Sequence, residues 1–289
     1  MLAPLDIFDP SSYPTRRDEE WKYSDLSRVL REAPTLARQD VDSFEVAAGK
    51  SVTQFVTLTD GGIYHETLDC RLGEASTLIR VVILDEPEDA VSIYRLNVQT
   101  APGSTFRQYV FSTGAKFQRF ETHVNHAGHG ATVELNGAYL LKGKRHFDLT
   151  TRVTHAEVDG VTTQLTKGLV KDSATAVFQG RILVERGADG TDARMRHQAL
   201  ILNDGAHVRA KPELEIYADD VQCAHGNTIG ALDEEALFFC MSRGMSEDVA
   251  RSLLTHAFVT PVADQIEDEE LRTMVLNFLE NASEDFHAV

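Results

Sequence analysis

From about Val46 to Val221, apolar and polar positions come in short β-prone runs rather than at helical spacing. Examples are SVTQFVTL from Ser51, STLIRVVIL from Ser76, ATVELNGAYLL from Ala131 and TAVFQGRILV from Thr175. Turn residues separate the runs: Asp60-Gly61-Gly62, Ala101-Pro102-Gly103, Gly128-His129-Gly130, Asp159-Gly160, Asp189-Gly190 and Asp204-Gly205. Two all-β architectures fit this pattern, a sandwich and a stack of coils. Small-residue corners such as Gly130-Ala131 and Gly205-Ala206 favour the stack, in which each rung buries its face against its neighbours. A parallel β-helix core is therefore expected over 46–231. No strict hexapeptide or nonapeptide repeat marks it, so the sandwich stays open at this point.

The flanks read differently. Residues 1–45 are expected to be an N-terminal helical segment, with one helix from Asp18 to about Glu32 carrying Trp21, Leu26, Val29 and Leu30 and stopping before Pro34. Residues 232–289 are expected to form a C-terminal helical subdomain. Asp233 is placed to cap its first helix, with Glu234 and Glu235 in the first turn and Gly244 closing it. Ser246 is placed to cap a second, whose apolar stripe is Ala250, Leu253, Leu254, Ala257 and Phe258. Pro261 is expected to interrupt that helix and to start another. Glu269 to Glu280 supplies a further helix with Leu271, Met274, Val275, Phe278 and Leu279. Helices this short leave apolar surface for another chain to cover.

Composition narrows function more than fold. The 289 residues hold 28 Lys and Arg against 45 Asp and Glu, a formal charge of −17. That balance argues against a nucleic-acid partner, which needs clustered cations, and against an anionic membrane surface. The opening MLAPLDIFDP has no basic region and no long apolar run, so no signal peptide is read there. No stretch is apolar for long enough to span a bilayer, and a cytoplasmic location is expected. Cys70, Cys223 and Cys240 are too few and too far apart for a disulfide framework or a self-contained CxxC…CxxC site.

Chemistry-bearing patterns are sparse. There is no G-x-S-x-G elbow and no phosphate-binding loop, and Gly226 to Gly230 lacks the lysine such a loop needs. His123, His126 and His129 are spaced by three, but positions three apart on a strand face opposite sides, so solvent-facing histidines are expected there rather than a metal site. His146, His155, His197 and His207 fall in strands without an evident carboxylate partner. Acids such as Asp148, Glu157 and Asp159 are too numerous to mark a glycosidase pair. The unusual segment is Cys223-Ala224-His225-Gly226. A thiol and an imidazole two residues apart in a strand share one face, and both ligate soft or borderline metals. Two ligands do not complete a coordination shell, so a second subunit would have to contribute. The plainer reading is a buried cysteine and a turn-capping histidine.

The run from Lys211 to Phe239, KPELEIYADDVQCAHGNTIGALDEEALFF, resembles the signature of the SufD family, subunits of the SUF iron–sulfur cluster assembly complex. Further matches are FQGRI from Phe178, ELNGAYLL from Glu134 and TRRDEEWKY from Thr15. The resemblance implies a mainly β fold: a right-handed parallel β-helix core with a short helical N-terminal segment and a helical C-terminal subdomain. It implies pairing with the paralogue SufB through the β-helix end and docking of the SufC ATPase on the C-terminal helices. It also implies a contribution to iron acquisition. SufB tends to carry His-Glu where this chain has His225-Gly226, and a cysteine where it has His197, so the pattern is SufD-like. Many family members have a longer N-terminal region than this chain.

The expected function is thus a non-catalytic scaffold subunit. His225 and Cys223 are the expected ligands for iron or a nascent iron–sulfur cluster held transiently at the SufB–SufD interface, with no cofactor bound tightly by the isolated chain. Leu237, Phe238, Met241, Leu253, Leu254 and Phe258 are the expected SufC-docking residues, each of which fits plain helical core as well. Self-pairing of the isolated chain is compatible with this reading. The rival from another class is a carbohydrate-active β-helix lyase or hydrolase, which would need carboxylates converging on a groove.

Overall fold

The computed structural model describes residues 5–283 and 286. Fourteen strands follow one another: β1 (Arg38–Val46), β2 (Ser51–Leu58), β3 (Ile63–Leu72), β4 (Thr77–Leu84), β5 (Val91–Gln99), β6 (Thr105–Ser112), β7 (Phe117–His126), β8 (Thr132–Leu141), β9 (His146–His155), β10 (Val161–Val170), β11 (Thr175–Val184), β12 (Asp192–Ile201), β13 (His207–Ile216) and β14 (Gln222–Gly230). They alternate between two seven-stranded sheets, β1-β3-β5-β7-β9-β11-β13 and β14-β12-β10-β8-β6-β4-β2. Every strand pairing is parallel and in matched register, so the chain winds as a parallel β-solenoid and not as a sandwich. The first strand begins at Arg38, ahead of the position near 46 where the β texture becomes evident in the sequence.

Register turns alternation into columns. Val52, Leu78, Phe106, Val133, Thr162, Ala193 and Cys223 stack in one inward column. The next inward column is Gln54, Arg80, Gln108, Leu135, Gln164, Met195 and His225. Apart from Val52, exposed at the first coil, the apolar members of these columns meet Leu96, Val98, Phe120, Val124 and Ile182 of the opposite sheet in one continuous core. Polar members pair across it: Gln108 Nε2 donates to Thr122 Oγ1 at 2.7 Å, and Thr151 Oγ1 donates to Gln164 Oε1 at 2.9 Å. Gly128 is required at its corner, because a Cβ there would lie 2.1 Å from the Ala101 carbonyl carbon of the preceding coil.

Both outer faces are covered. The N-terminal segment lays Ile7, Tyr13, Trp21 and Leu26 against Val91, Ile93 and Phe117. The long helix expected from Asp18 is absent. In its place stand a 3₁₀ turn at Glu19–Trp21 and a one-turn helix α1 (Leu26–Val29), capped by Asp25. The break is forced by anchoring: Ser24 between them donates to the Asp148 carboxylate and contacts His146 Nε2 at 3.1 Å, while Trp21 and Leu26 both turn into the core.

The other face is covered by helices. After α2 (Glu234–Ser242) come α3 (Glu247–Ala263) and α4 (Glu269–Ser283). Val259, Val262, Val275 and Leu279 pack on Val81, Ile83, Tyr109 and Phe111. Asp233 and Ser246 cap as expected, and Gly244 takes the left-handed conformation at φ +94°. Pro261 does not break α3; it sits in the last turn, where the carbonyl it deprives of a partner belongs to solvent-exposed Ala257. The buried stripe of α3 is also rotated from expectation. Leu253 and Ala257 are exposed, and Thr255 is buried because its hydroxyl bonds back to the Arg251 carbonyl at 2.8 Å.

Candidate functional site

The solenoid ends on two edge strands, β13 and β14, each last in its sheet among the described residues. With no further coil above them, their inward side chains form an open face. From β14 these are Cys223, His225, Asn227 and Ile229, and from β13 Val208, Ala210, Pro212, Leu214 and Ile216. His225 is exposed, at the head of its column directly above Met195. Cys223 is half-buried against the core, and burial pushes its thiol pKa up. The sequence thus placed the pair on one face, and the structure turns that face inward at an open end. An open groove of about 560 Å³ runs past the pair, lined also by Gln164, Arg194, Met195 and Arg196.

The edge itself is unguarded. β14 carries no Asp, Glu, Lys or Arg, and Gly226 and Gly230 have open space where a Cβ would stand. Edge strands normally resist pairing with charges, proline or bulges. β1, at the opposite end, carries Asp40, Asp42 and Glu45, and β13 carries Pro212. β14 has none of these defences.

A second surface lies on the helices. Phe238, Met241 and Leu253 are exposed, at 73%, 41% and 48%. Leu237 is buried, and Leu254 and Phe258 are half-buried, Phe258 beneath the Lys167 ammonium at 4.3 Å from its ring centre. Phe239, Met245 and Val249 join the exposed set and were not singled out in the sequence. The run Leu237-Phe238-Phe239-Cys240-Met241 was the available signal, since a helix cannot bury five consecutive apolar residues on one face.

The remaining candidates separate. His123 faces outward, 3.6 Å from Glu121, whereas His126 faces inward and His129 sits on a turn 3.5 Å from Asp159. His126, His146, His155 and His197 are buried or nearly so, against the solvent-facing expectation for the first. Asp148 does not face a groove. It is buried under the N-terminal segment, paired with Arg119 and bonded by Ser24 and Thr150, while Glu157 and Asp159 are exposed on a distant turn. Burial opposes ionisation of neighbouring Glu121, but Arg119 and Arg95 hold its pKa at about 2. No helix is long and apolar enough to cross a membrane among the described residues.

Comparison with known proteins accords with this geometry. Residues 40–258 match the family described as SUF system FeS cluster assembly, SufBD core domain. The iron–sulfur cluster assembly protein SufD of Escherichia coli K12 is 34% identical over 176 residues, 61% of this chain and 42% of that protein. A SufBD family protein of Synechocystis is 31% identical over 195 residues, 68% of the chain and 43% of the relative. The chloroplastic protein ABCI7 of Arabidopsis thaliana is 30% identical over 229 residues, 78% and 48% respectively. The chain spans about half the length of these relatives or somewhat less. Solenoid, end face and match together place the chain in the SufBD family of iron–sulfur cluster assembly proteins.

Proposed function

We propose that the chain is a SufD-type, non-catalytic scaffold subunit that pairs with SufB through the open end and docks the SufC ATPase on its C-terminal helices. The observation that carries this reading is the unguarded edge of β14, with Cys223 and His225 turned inward beside it. An added strand would supply the missing hydrogen bonds, and its own inward side chains would meet His225 across a newly closed coil. Iron or a nascent cluster is the cargo. His225 and Cys223 give it two ligands of suitable softness, and the partner gives the rest. The exposed Phe238, Phe239, Met241 and Leu253 support the SufC assignment, since a row of large apolar side chains on short helices calls for cover.

Co-expression with SufB and SufC, affinity purification and size-exclusion light scattering test the proposal. A stable three-component complex is expected, and loss of SufC alone is expected when residues from 232 onward are removed from a chain that still folds. Failure of the folded chain to associate with partners that bind each other would overturn it.

A further inference from the structure

A hydrogen-bonded chain runs along the solenoid axis to the open face. Tyr139 on β8 leans across Gly168 on β10, where a Cβ would lie 2.0 Å from its ring. Its hydroxyl reaches His197 Nε2 on β12 at 2.8 Å. His197 Nδ1 in turn lies 2.8 Å from Asn227 Oδ1 on β14. The His197 ring stacks on Phe178, centres 4.6 Å apart and 8° from parallel. Tyr139 and His197 are fully buried, whereas Asn227 is exposed two residues beyond His225.

With the Asn227 oxygen, and not its nitrogen, facing His197, the direction of every bond follows. An amide oxygen only accepts, so Nδ1 carries the imidazole proton. Nε2 is then an acceptor and takes the Tyr139 O–H. With its oxygen committed to His197, the exposed Asn227 amide is left with its NH₂ to offer to the open face.

We infer that His197 is a positioning residue that holds the Asn227 amide as a fixed donor, and that this donor selects a partner side chain presenting a hydrogen-bond acceptor to the open face. This rests on the pairing proposed above. Any partner side chain with an accepting oxygen or sulfur fits, because it takes the proton of Nδ2. A partner amine or guanidinium does not fit, because it has nothing to accept with.

Titration of the full chain with purified SufB, by calorimetry, reads the acceptor. Asn227→Asp keeps an oxygen for the His197 Nδ1–H but presents a second oxygen and a charge to the partner. It is expected to weaken binding about tenfold or more beyond Asn227→Ala. An Asp variant that binds as tightly as the wild type overturns the inference. Side-chain ¹⁵N relaxation of Asn227 in the free chain reads the positioning without any partner. His197→Phe keeps the stack on Phe178 and removes both nitrogens, and the Asn227 amide is expected to gain mobility while the fold persists. An equally rigid amide in folded His197→Phe overturns the positioning role. Should that variant fail to fold, the Asn227→Asp titration still decides. Should the wild type fail to bind SufB, the pairing proposal falls and the relaxation measurement still decides the positioning role of His197.

Discussion

The imidazole rings of His126 and His155 stack 4.1 Å apart and 15° from parallel inside the solenoid. Both Nε2 atoms reach the same hydroxyl, Thr162 Oγ1, at 3.1 Å and 3.0 Å. One hydroxyl proton serves only one of them, so the other ring must donate. Both Nδ1 atoms abut Gly160 and lack a partner among the described residues.

This pair predicts acid sensitivity. Burial, and for His126 the second ring, depresses the pKa values to about 3 for His126 and about 4 for His155. An unfolded histidine titrates near 6.5. Between about pH 6.5 and 4 the unfolded chain therefore binds more protons, and stability falls as pH falls, by roughly 1.4 kcal/mol per pH unit for each such ring. Urea midpoints measured from pH 7 to pH 4.5 should drop steadily. His126→Phe, which keeps a stacked ring, should show a shallower drop; an identical slope would refute the assignment.

Trp21 seals the buried ion cluster on the outer face of the same sheet. Its ring lies 4.1 Å from the Arg119 guanidinium, which is fully buried between Glu121 and Asp148. Trp21→Ala should cost about 3–5 kcal/mol, the loss expected for a large buried aromatic, and salt should deepen it by screening the newly wetted ions. Chemical denaturation at two ionic strengths measures both effects.

His225 should be separable from stability. Because it is exposed on an edge strand, His225→Ala should shift unfolding free energy by less than about 0.5 kcal/mol. Iron loading of the reconstituted complex should nevertheless fall. Iron quantitation beside a thermal melt distinguishes the two, and a variant that loads iron normally would remove His225 from the ligand set.

Neighbouring residues on α2 should behave oppositely. Leu237→Ala, in the core, should cost about 2–5 kcal/mol. Phe238→Ala, 73% exposed, should leave stability nearly unchanged and weaken SufC binding. Affinity of SufC for each folded variant, paired with its melting curve, provides the check.

What could be read from sequence followed the scale of each signal. Alternation and glycine corners such as Gly130-Ala131 reported the strands, because one buried face imposes a period of two. The caps Asp233 and Ser246 were legible because a cap is a local bond. The helix from Asp18 was not borne out, since Ser24 is fixed by Asp148 and His146, far along the chain. Pro261 misled for a similar reason: tertiary packing of Val259 and Val262 carries α3 through it. At the candidate site, the spacing of Cys223 and His225 gave their shared face, and the same spacing extends it to Asn227, but only strand register brought His197 against that amide.

The open end has a mechanical consequence. Each coil is clamped by the coil before it and the coil after it, except the two at the ends, which are clamped once, and β14 belongs to one of these. In the free chain β14 should fray first, its amides exchanging with solvent ahead of those of β12 and β10. A docked strand supplies the absent clamp, so the firmness of this last coil is borrowed from whatever sits on it.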